Sequence, residues 1–164
     1  MKALTNENPY HLEPVEGSGL SEVDYAHCIK IIKSGGAVDP ASARRELRLA
    51  SHVVVVRKEA KIVAVGAIKR TRSDYSHRIA IKSRFEFAPG TPELGYVSVD
   101  RDHQHKGLSL QIVNGLLGMC AAKLFATTSS PYMRSTLERA GFQRRGQTWK
   151  GTRPAAELSL WIRP

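Results

Sequence analysis

The chain is poor in the residues that build disulfide-bonded or zinc-stabilised folds. Its 164 residues include two cysteines, Cys28 and Cys120, and neither a Cys-x-x-Cys pair nor a cysteine–histidine cluster. Both cysteines fall within apolar patterns typical of helices, which predicts buried free thiols and no bridge between them. We therefore expect no structural zinc site and no resident metal.

Long apolar runs are also missing. No segment approaches the roughly 20 apolar residues that a membrane-spanning helix needs. The first ten residues, MKALTNENPY, contain no apolar stretch of the signal-peptide type. These absences predict a cytoplasmic protein that does not act at a membrane.

Three common catalytic signatures are absent. None of the six histidines belongs to an HExxH motif, and there is no Gly-x-Ser-x-Gly elbow. Lys106 precedes Gly107 instead of following it, so the segment is not a Walker loop. His103 and His105 flank this glycine and are candidates to contact phosphate, although solvated loop histidines are more common.

Negative charge is scarce relative to positive charge. The chain has 25 lysines and arginines against 15 acidic residues, a formal net charge of +10. With 41% apolar and 24% charged residues, it reads as one folded domain over residues 1–164. The positive excess indicates a phosphate-bearing cofactor, another anionic partner, an acidic substrate or a bias toward solubility.

Hydrophobic periodicity predicts helices and strands in alternation. Residues 52–70 read as a hairpin, and residues 71–92 read either as a short helix or as a strand, with the helix favoured. The order predicts a mixed α/β (α+β) sheet. Predicted strands are His11–Val15, His52–Arg57, Lys61–Arg70, Leu94–Val99, Leu124–Ser129, Phe142–Thr148 and Glu157–Ile162; predicted helices begin at Ser21, Asp39, Ser109 and Pro131.

The segment from Glu93 to Leu117 has the pattern of a phosphate-binding element. An apolar strand is followed by a polar loop that carries Gln104, Gly107 and Ser109, and then by an amphipathic helix. Such a loop directs backbone N–H groups at one point, and the helix N-terminus adds partial positive charge. The pattern indicates a cofactor with a pyrophosphate.

Two motifs resemble those of the GCN5-related N-acetyltransferase (GNAT) superfamily. Gln104-His105-Lys106-Gly107-Leu108-Ser109 matches the family loop Gln/Arg-x-x-Gly-x-Gly/Ala except for its final serine, and Glu138–Phe142 matches a helix that ends in Gly-Phe. The order of elements agrees over residues 20–163. The resemblance implies a mostly antiparallel twisted sheet with a central splayed parallel strand pair and flanking helices. It also implies direct acetyl transfer from acetyl-CoA to a primary amine of an unidentified acceptor, and homodimers are frequent in the family.

The same resemblance implies a cofactor site between Leu94–Val99 and Leu124–Ser129. Strand backbone would pair with the pantetheine arm, and the loop N–H groups would hold the pyrophosphate. Lys106 is equally well explained as a solvated loop lysine. The implied cofactor-binding residues are Val97, Ser98, Val99, Gln104, His105, Lys106, Gly107, Leu108, Ser109, Leu110 and Ser130.

The implied catalytic set is incomplete. Glu93 stands where histone-type members have a catalytic glutamate, so it is the candidate base; the alternative is a solvent-facing glutamate at a strand end. The family's usual acid, a tyrosine five residues before the Gly-Phe phenylalanine, is replaced by Leu137. Tyr132 on the same helix is the substitute candidate, although its position is more typical of a packing or rim residue.

A basic stretch supports an alternative function. Residues 69–84 contain six cationic residues with interleaved aromatics, which is compatible with an RNA- or ribosome-associated module of the same fold. A hybrid of the two functions would acetylate aminoacyl-tRNA. The favoured interpretation is a solvated face beside the cleft with its aromatics packed inward, so nucleic acid is an open but less favoured partner. The residues concerned are Lys69, Arg70, Arg72, Arg78, Lys82 and Arg84, with Tyr75, Phe85 and Phe87.

Overall fold

A computed structural model describes residues 8–35, 39–152 and 156–164. In these ranges, helices and strands alternate largely as the periodicity predicts. In chain order the elements are β1 (Tyr10–Val15), α1 (Glu22–Ser34), α2 (Pro40–Arg48), β2 (His52–Lys58), β3 (Lys61–Ile68), α3 (Ser73–Ser83), β4 (Leu94–Val99), α4 (Leu108–Met119), β5 (Leu124–Thr128), α5 (Pro131–Arg139), β6 (Gln143–Lys150) and β7 (Glu157–Arg163).

The strands form two antiparallel sheets. Sheet A has the order β1-β2-β3-β4, and sheet B has the order β5-β7-β6. A single parallel bridge between Glu93 and Phe125 joins them, where the Phe125 N–H donates to the Pro92 carbonyl at 3.1 Å. The expected parallel pair is therefore reduced to one contact at its beginning. Beyond this contact β4 and β5 pair with different sheets.

The central strands of sheet A, β2 and β3, are nearly continuous runs of β-branched and small apolar residues. Because successive side chains point to opposite faces, both faces of the sheet are apolar and both are covered. Ile112 and Leu116 of α4 belong to the core cluster on one face. Ile29, Ile32 and Leu47 of α1 and α2 belong to the cluster on the other. Sheet A thus fixes the position of α4, whose first turn follows the predicted phosphate loop.

The helices begin within one residue of the predicted starts. The side chains of Ser21, Asp39 and Ser130 accept hydrogen bonds from backbone N–H groups in the first turns of α1, α2 and α5, which fixes where these helices begin. The predicted Ser109 helix begins at Leu108 and ends at Met119.

Residues 73–83 form helix α3, so the alternative of a strand is wrong. No side chain caps its N-terminus, and Arg84 ends it in the left-handed conformation, with φ 54°. Tyr75, Phe85 and Phe87 pack against a buried cluster that contains Phe125. The aromatics of the basic stretch therefore face inward and contribute to the core.

The two cysteines differ in their surroundings. Cys28 is fully buried, and burial raises the pKa of its thiol to about 12, whereas Cys120 is only partly buried. Both are free thiols, which confirms that they form no bridge. Among the described helices, none combines the length and hydrophobicity required to cross a bilayer.

Gly66 lies where α4 approaches sheet A closely. A Cβ atom at this position would stand 2.3 Å from Cγ2 of the buried Ile112. We expect Gly66→Ala to lower the free energy of unfolding by about 1–3 kcal/mol, because the close-packed core must shift to admit the methyl group. Chemical denaturation measures the change.

The matched control is Gly118→Ala, near the end of α4, where a Cβ atom would meet nothing within 4 Å. Alanine has the higher helix propensity, so this variant should be as stable as the parent or up to about 1 kcal/mol more stable. Equal effects of the two substitutions would contradict the packing described for Gly66.

Candidate functional site

The divergence of β4 and β5 opens a cleft at the centre of the molecule. A cavity of about 1180 Å³ lies along it and is lined by the whole of β4 and by residues 126–130. Within β4, two residues, Tyr96 and Val97, stand opposite the single Gly66 of β3. Tyr96 has φ 57°, so this is a bulge in β4 with a residue in the left-handed region. The bulge interrupts the regular pairing of β4 beside the cavity.

The loop before α4 lies at the cavity, with Gln104 and His105 in its lining. His105 and Gly107 have φ 63° and 76°, and no side chain caps the first turn of α4. Gln104 turns back and donates from Nε2 to the Val99 carbonyl at 3.3 Å. A Cβ atom at Gly107 would find no heavy atom within 4 Å, so the backbone is open to a ligand on this side. A phosphate group fits such a cradle.

Most residues predicted for the cofactor and the chemistry line one cavity. Lys106, Gly107 and Leu110 do not line this cavity. They lie in the loop before α4 and in its first turn, and are chain neighbours of residues that do line it. The predicted residues that line the cavity are Glu93, Val97, Ser98, Val99, Gln104, His105, Leu108, Ser109, Ser130 and Tyr132.

Glu93 lies at the point where the strands separate. Its residue exposure is 6%, so it is not a solvent-facing glutamate. Its Oε1 lies 3.0 Å from Nζ of Lys69 and 3.4 Å from Nη2 of Arg72. The closest contact of each ion pair is on this one oxygen. The carboxylate is thus held in place by two cations where it lines the cavity.

Two tyrosine hydroxyls lie close to Glu93. Burial, and then the negative charge of Glu93, raises the pKa of Tyr75 well above its ordinary value. Burial also raises the pKa of Tyr96 to about 12, although the nearby Arg72 acts in the opposite direction. Both phenols line the cavity and stay protonated at neutral pH, so they are hydrogen-bond donors.

Tyr132 lies at the rim of the cavity. It is 51% exposed, and its ring meets that of His105 edge-on with centroids 6.4 Å apart. Leu137, at the family position of the acid, is fully buried and supplies an apolar part of the wall. The phenols whose pKa is raised by burial and by the charge of Glu93 are those of Tyr75 on α3 and Tyr96 on β4.

Sequence reasoning did not assign Lys69, Arg72, Tyr75 or Tyr96 to this site. A usable signal was present, because β3 and β4 are antiparallel neighbours with Ile68 opposite Leu94. Residues that follow the end of β3 must then lie beside Glu93, which precedes β4. The Lys69 N–H donates to the Glu93 carbonyl at 2.8 Å, which extends this pairing by one step.

A second ion-pair group lies close by. Glu46 of α2 is 1% exposed and accepts two hydrogen bonds of 2.9 Å from the guanidinium of Arg70. Arg45 approaches the same carboxylate at 3.6 Å. Among the described residues, no group of three or more histidine, cysteine, aspartate or glutamate side chains could hold a metal ion.

The fold has many known counterparts, although sequence comparison finds none. No family model matches the chain, and no curated protein matches its sequence. ElaA of Escherichia coli is 11% identical, with a TM-score of 0.68 over 94% of this chain and 99% of that one. An acyl-CoA N-acyltransferase from Pseudomonas aeruginosa is 9% identical, with a TM-score of 0.70 over 94% and 99%. This chain has the acyl-CoA N-acyltransferase fold.

The N-acyltransferase fold predicted from the two motifs is thus confirmed. A GNAT-family acetyltransferase from Elizabethkingia anophelis, whose structure has acetyl-CoA bound, is 11% identical with a TM-score of 0.63 and covers 95% of this chain and 98% of its own. In the N-acyltransferase fold described here, the cavity follows the divergence of β4 and β5.

The Glu46 ion pair makes stability depend on pH. Hydrogen bonds from Arg70 hold the pKa of Glu46 below its ordinary 4.5, so the pair stabilises the fold above that pH and is lost as pH falls. We expect Glu46→Gln to lower the thermal midpoint at neutral pH. The difference in thermal midpoint between Glu46→Gln and the parent should become smaller below about pH 4.5.

Thermal denaturation over a pH series measures this gap. Glu86→Gln is the control, since Glu86 is exposed and has no ion pair among the described residues. Its thermal midpoint should equal that of the parent at every pH. If the midpoint of Glu46→Gln stays equally far below that of the parent in acid, the stabilising role of the ion pair is contradicted.

Proposed function

We propose that this protein is an N-acetyltransferase that transfers the acetyl group of acetyl-CoA to a primary amine. The observation that supports it is one cavity in which an uncapped helix N-terminus, a bulged strand and a buried glutamate follow one another. The bound acetyl-CoA of the Elizabethkingia anophelis structure is in agreement with this cofactor.

The residues of the cleft fit a cofactor with a pyrophosphate and an amide-bearing arm. Backbone N–H groups of residues 105–110 would hold the phosphates, with His105 and Ser130 beside them. Backbone of Val97, Ser98 and Val99 would pair with the arm in the manner of an added strand. When bound, acetyl-CoA supplies a thioester that is open to attack by a neutral amine.

Glu93 is the proposed base. An ammonium group cannot attack a carbonyl, so its proton must leave before or during transfer. The carboxylate of Glu93 accepts this proton, directly or through water, while Lys69 and Arg72 keep the side chain oriented through their contacts with Oε1. The cations fix the carboxylate at the mouth of the strand divergence.

The proposed donors to the leaving sulfur are Tyr75 and Tyr96, with Tyr132 as the third hydroxyl of the cavity. The raised pKa of Tyr96, about 12, makes complete proton transfer to a thiolate unfavourable, so this phenol acts by hydrogen bonding. Water supplies the final proton. A dedicated acid at the position of Leu137 is not required in this scheme.

Isothermal titration calorimetry with acetyl-CoA tests the cofactor site. The parent should bind acetyl-CoA, and Gly107→Val should bind it at least about tenfold more weakly, because the side chain occupies space at the phosphate cradle and strains a residue with φ 76°. Absence of binding to the parent would disprove the proposed function.

Gly141→Val separates these two effects. Gly141 also has a left-handed φ, 93°, and open space around its Cβ position, but it follows α5 and is not part of the loop before α4. It should lose stability as Gly107→Val does and keep its affinity for acetyl-CoA. Equal losses of affinity would show that strain alone explains the Gly107 result.

Glu93→Gln tests the proposed base. The amide keeps the size of the side chain and cannot take up a proton, so turnover should fall by about a hundredfold or more while acetyl-CoA affinity is retained. Thiol release over a pH series, together with calorimetry, measures both quantities. Unchanged turnover across the pH range would rule out a proton-accepting role for Glu93.

A further inference from the structure

The part of the cavity around α3 contains cationic groups that the proposed cofactor does not use. Lys69, Arg72 and Tyr75 line it, together with Ser42 of α2. The phosphate cradle belongs instead to the loop before α4. This part of the site, on the other side of Glu93, is where the acceptor amine must approach if the proposed function holds.

The two cations carry more hydrogen-bond donors than their partner can accept. A lysine ammonium has three N–H groups and an arginine guanidinium has five. The closest contact of each with Glu93 is on Oε1. Among the described residues, no other carboxylate lies within ion-pair distance of Lys69 or Arg72. Both side chains line the cavity, so their remaining donors can serve a ligand there.

Packing holds both cations in position. Nζ of Lys69 lies 4.1 Å from the centroid of the Tyr96 ring, and a Cβ atom at Gly95 would stand 2.6 Å from Cε of Lys69. The guanidinium carbon of Arg72 lies 4.5 Å from the centroid of the Tyr75 ring. The glycine in β4 therefore leaves the space that the lysine side chain occupies. Such preorganised donors lose little freedom when they bind an anion.

The surroundings leave this region with excess positive charge. Arg45 and Arg70 flank Glu46, and Lys69 and Arg72 flank Glu93. One further carboxylate, that of Asp39, already caps α2 by accepting from the Ser42 N–H at 3.2 Å. An anionic ligand would balance the excess.

We propose that Lys69 and Arg72 form an oxyanion subsite, and that the acceptor is a small amine that also carries a carboxylate or phosphate group. This inference rests on the proposed acetyl transfer. The acceptor's anionic group binds the free donors of Arg72 and Lys69, and its amine lies toward the carboxylate of Glu93. Glu93 thus separates the two cations from the reacting nitrogen.

The test compares matched amines that differ only in the anionic group. Phenylalanine and phenethylamine differ by a carboxylate, and O-phosphoethanolamine and ethanolamine differ by a phosphate. Thermal-shift binding to the CoA-loaded protein and thiol release with acetyl-CoA are measured for each. In at least one pair, the anionic member should bind CoA-loaded protein and be acetylated with a kcat/KM about tenfold to a hundredfold higher. The pair that responds identifies carboxylate or phosphate.

Arg72→Gln should abolish most of this preference while acetyl-CoA affinity is retained. Arg78→Gln is the matched control, because Arg78 lies against the same Tyr75 ring, 5.7 Å from its centroid, but outside the cavity lining. It should keep the full preference. Arg72→Lys should restore part of it. Gly95→Ala offers a second route, since the added methyl group displaces Lys69 and should raise KM for the anionic amine.

Several results would overturn the subsite. They are equal kcat/KM values within both pairs, no stabilisation of the CoA-loaded protein by either anionic amine, or an undiminished preference in Arg72→Gln. Acetyl-CoA binding by the parent separates this failure from failure of the proposed function. If acetyl-CoA binds and uncharged-tail amines are acetylated as well as anionic ones, only the subsite is wrong.

Discussion

The structure depends on one parallel contact between two antiparallel sheets. At Glu93 and Phe125 the strands β4 and β5 meet for a single bridge, and each then continues in its own sheet. Had the two strands paired over their whole length, the backbone of Val97–Val99 would be used in a ladder and no cleft would form. The early end of the pairing leaves backbone donors and acceptors at the wall of a large cavity.

The buried carboxylate of Glu93 at this contact requires compensating positive charge. Lys69 and Arg72 provide it from the segment that follows β3. The compensation exceeds the need, because two cations meet one carboxylate. The arrangement that holds the Glu93 carboxylate in place therefore also gives the cavity a positive wall. In the proposed function, orientation of the base and recognition of an anion are two results of this one ion-pair group.

Much of the fold could be predicted because its signals are local. The apolar runs of β2 and β3, the caps at Ser21, Asp39 and Ser130, and the glycine before α4 each act within a few residues. Tyr75 and the cations around Glu93 could not be found in this way. Tyr75 is 18 positions from Glu93 along the chain, and only the antiparallel pairing of β3 with β4 brings Lys69 to it. The role predicted for Tyr132 stays a prediction; its ring is exposed and lies beside His105.

Glu93 and the side chains around it belong to two different kinds of segment, the start of a sheet strand and a helical insertion. Glu93 precedes β4 and is tied to the bridge, whereas Arg72 and Tyr75 belong to a helical insertion between neighbouring strands. Replacing residues in that insertion costs no hydrogen bond of either sheet. The side chains around Glu93 that come from this insertion can therefore change while both sheets keep their pairing. Counterparts with 9% and 11% identity have the same fold, so the fold itself tolerates the replacement of most side chains.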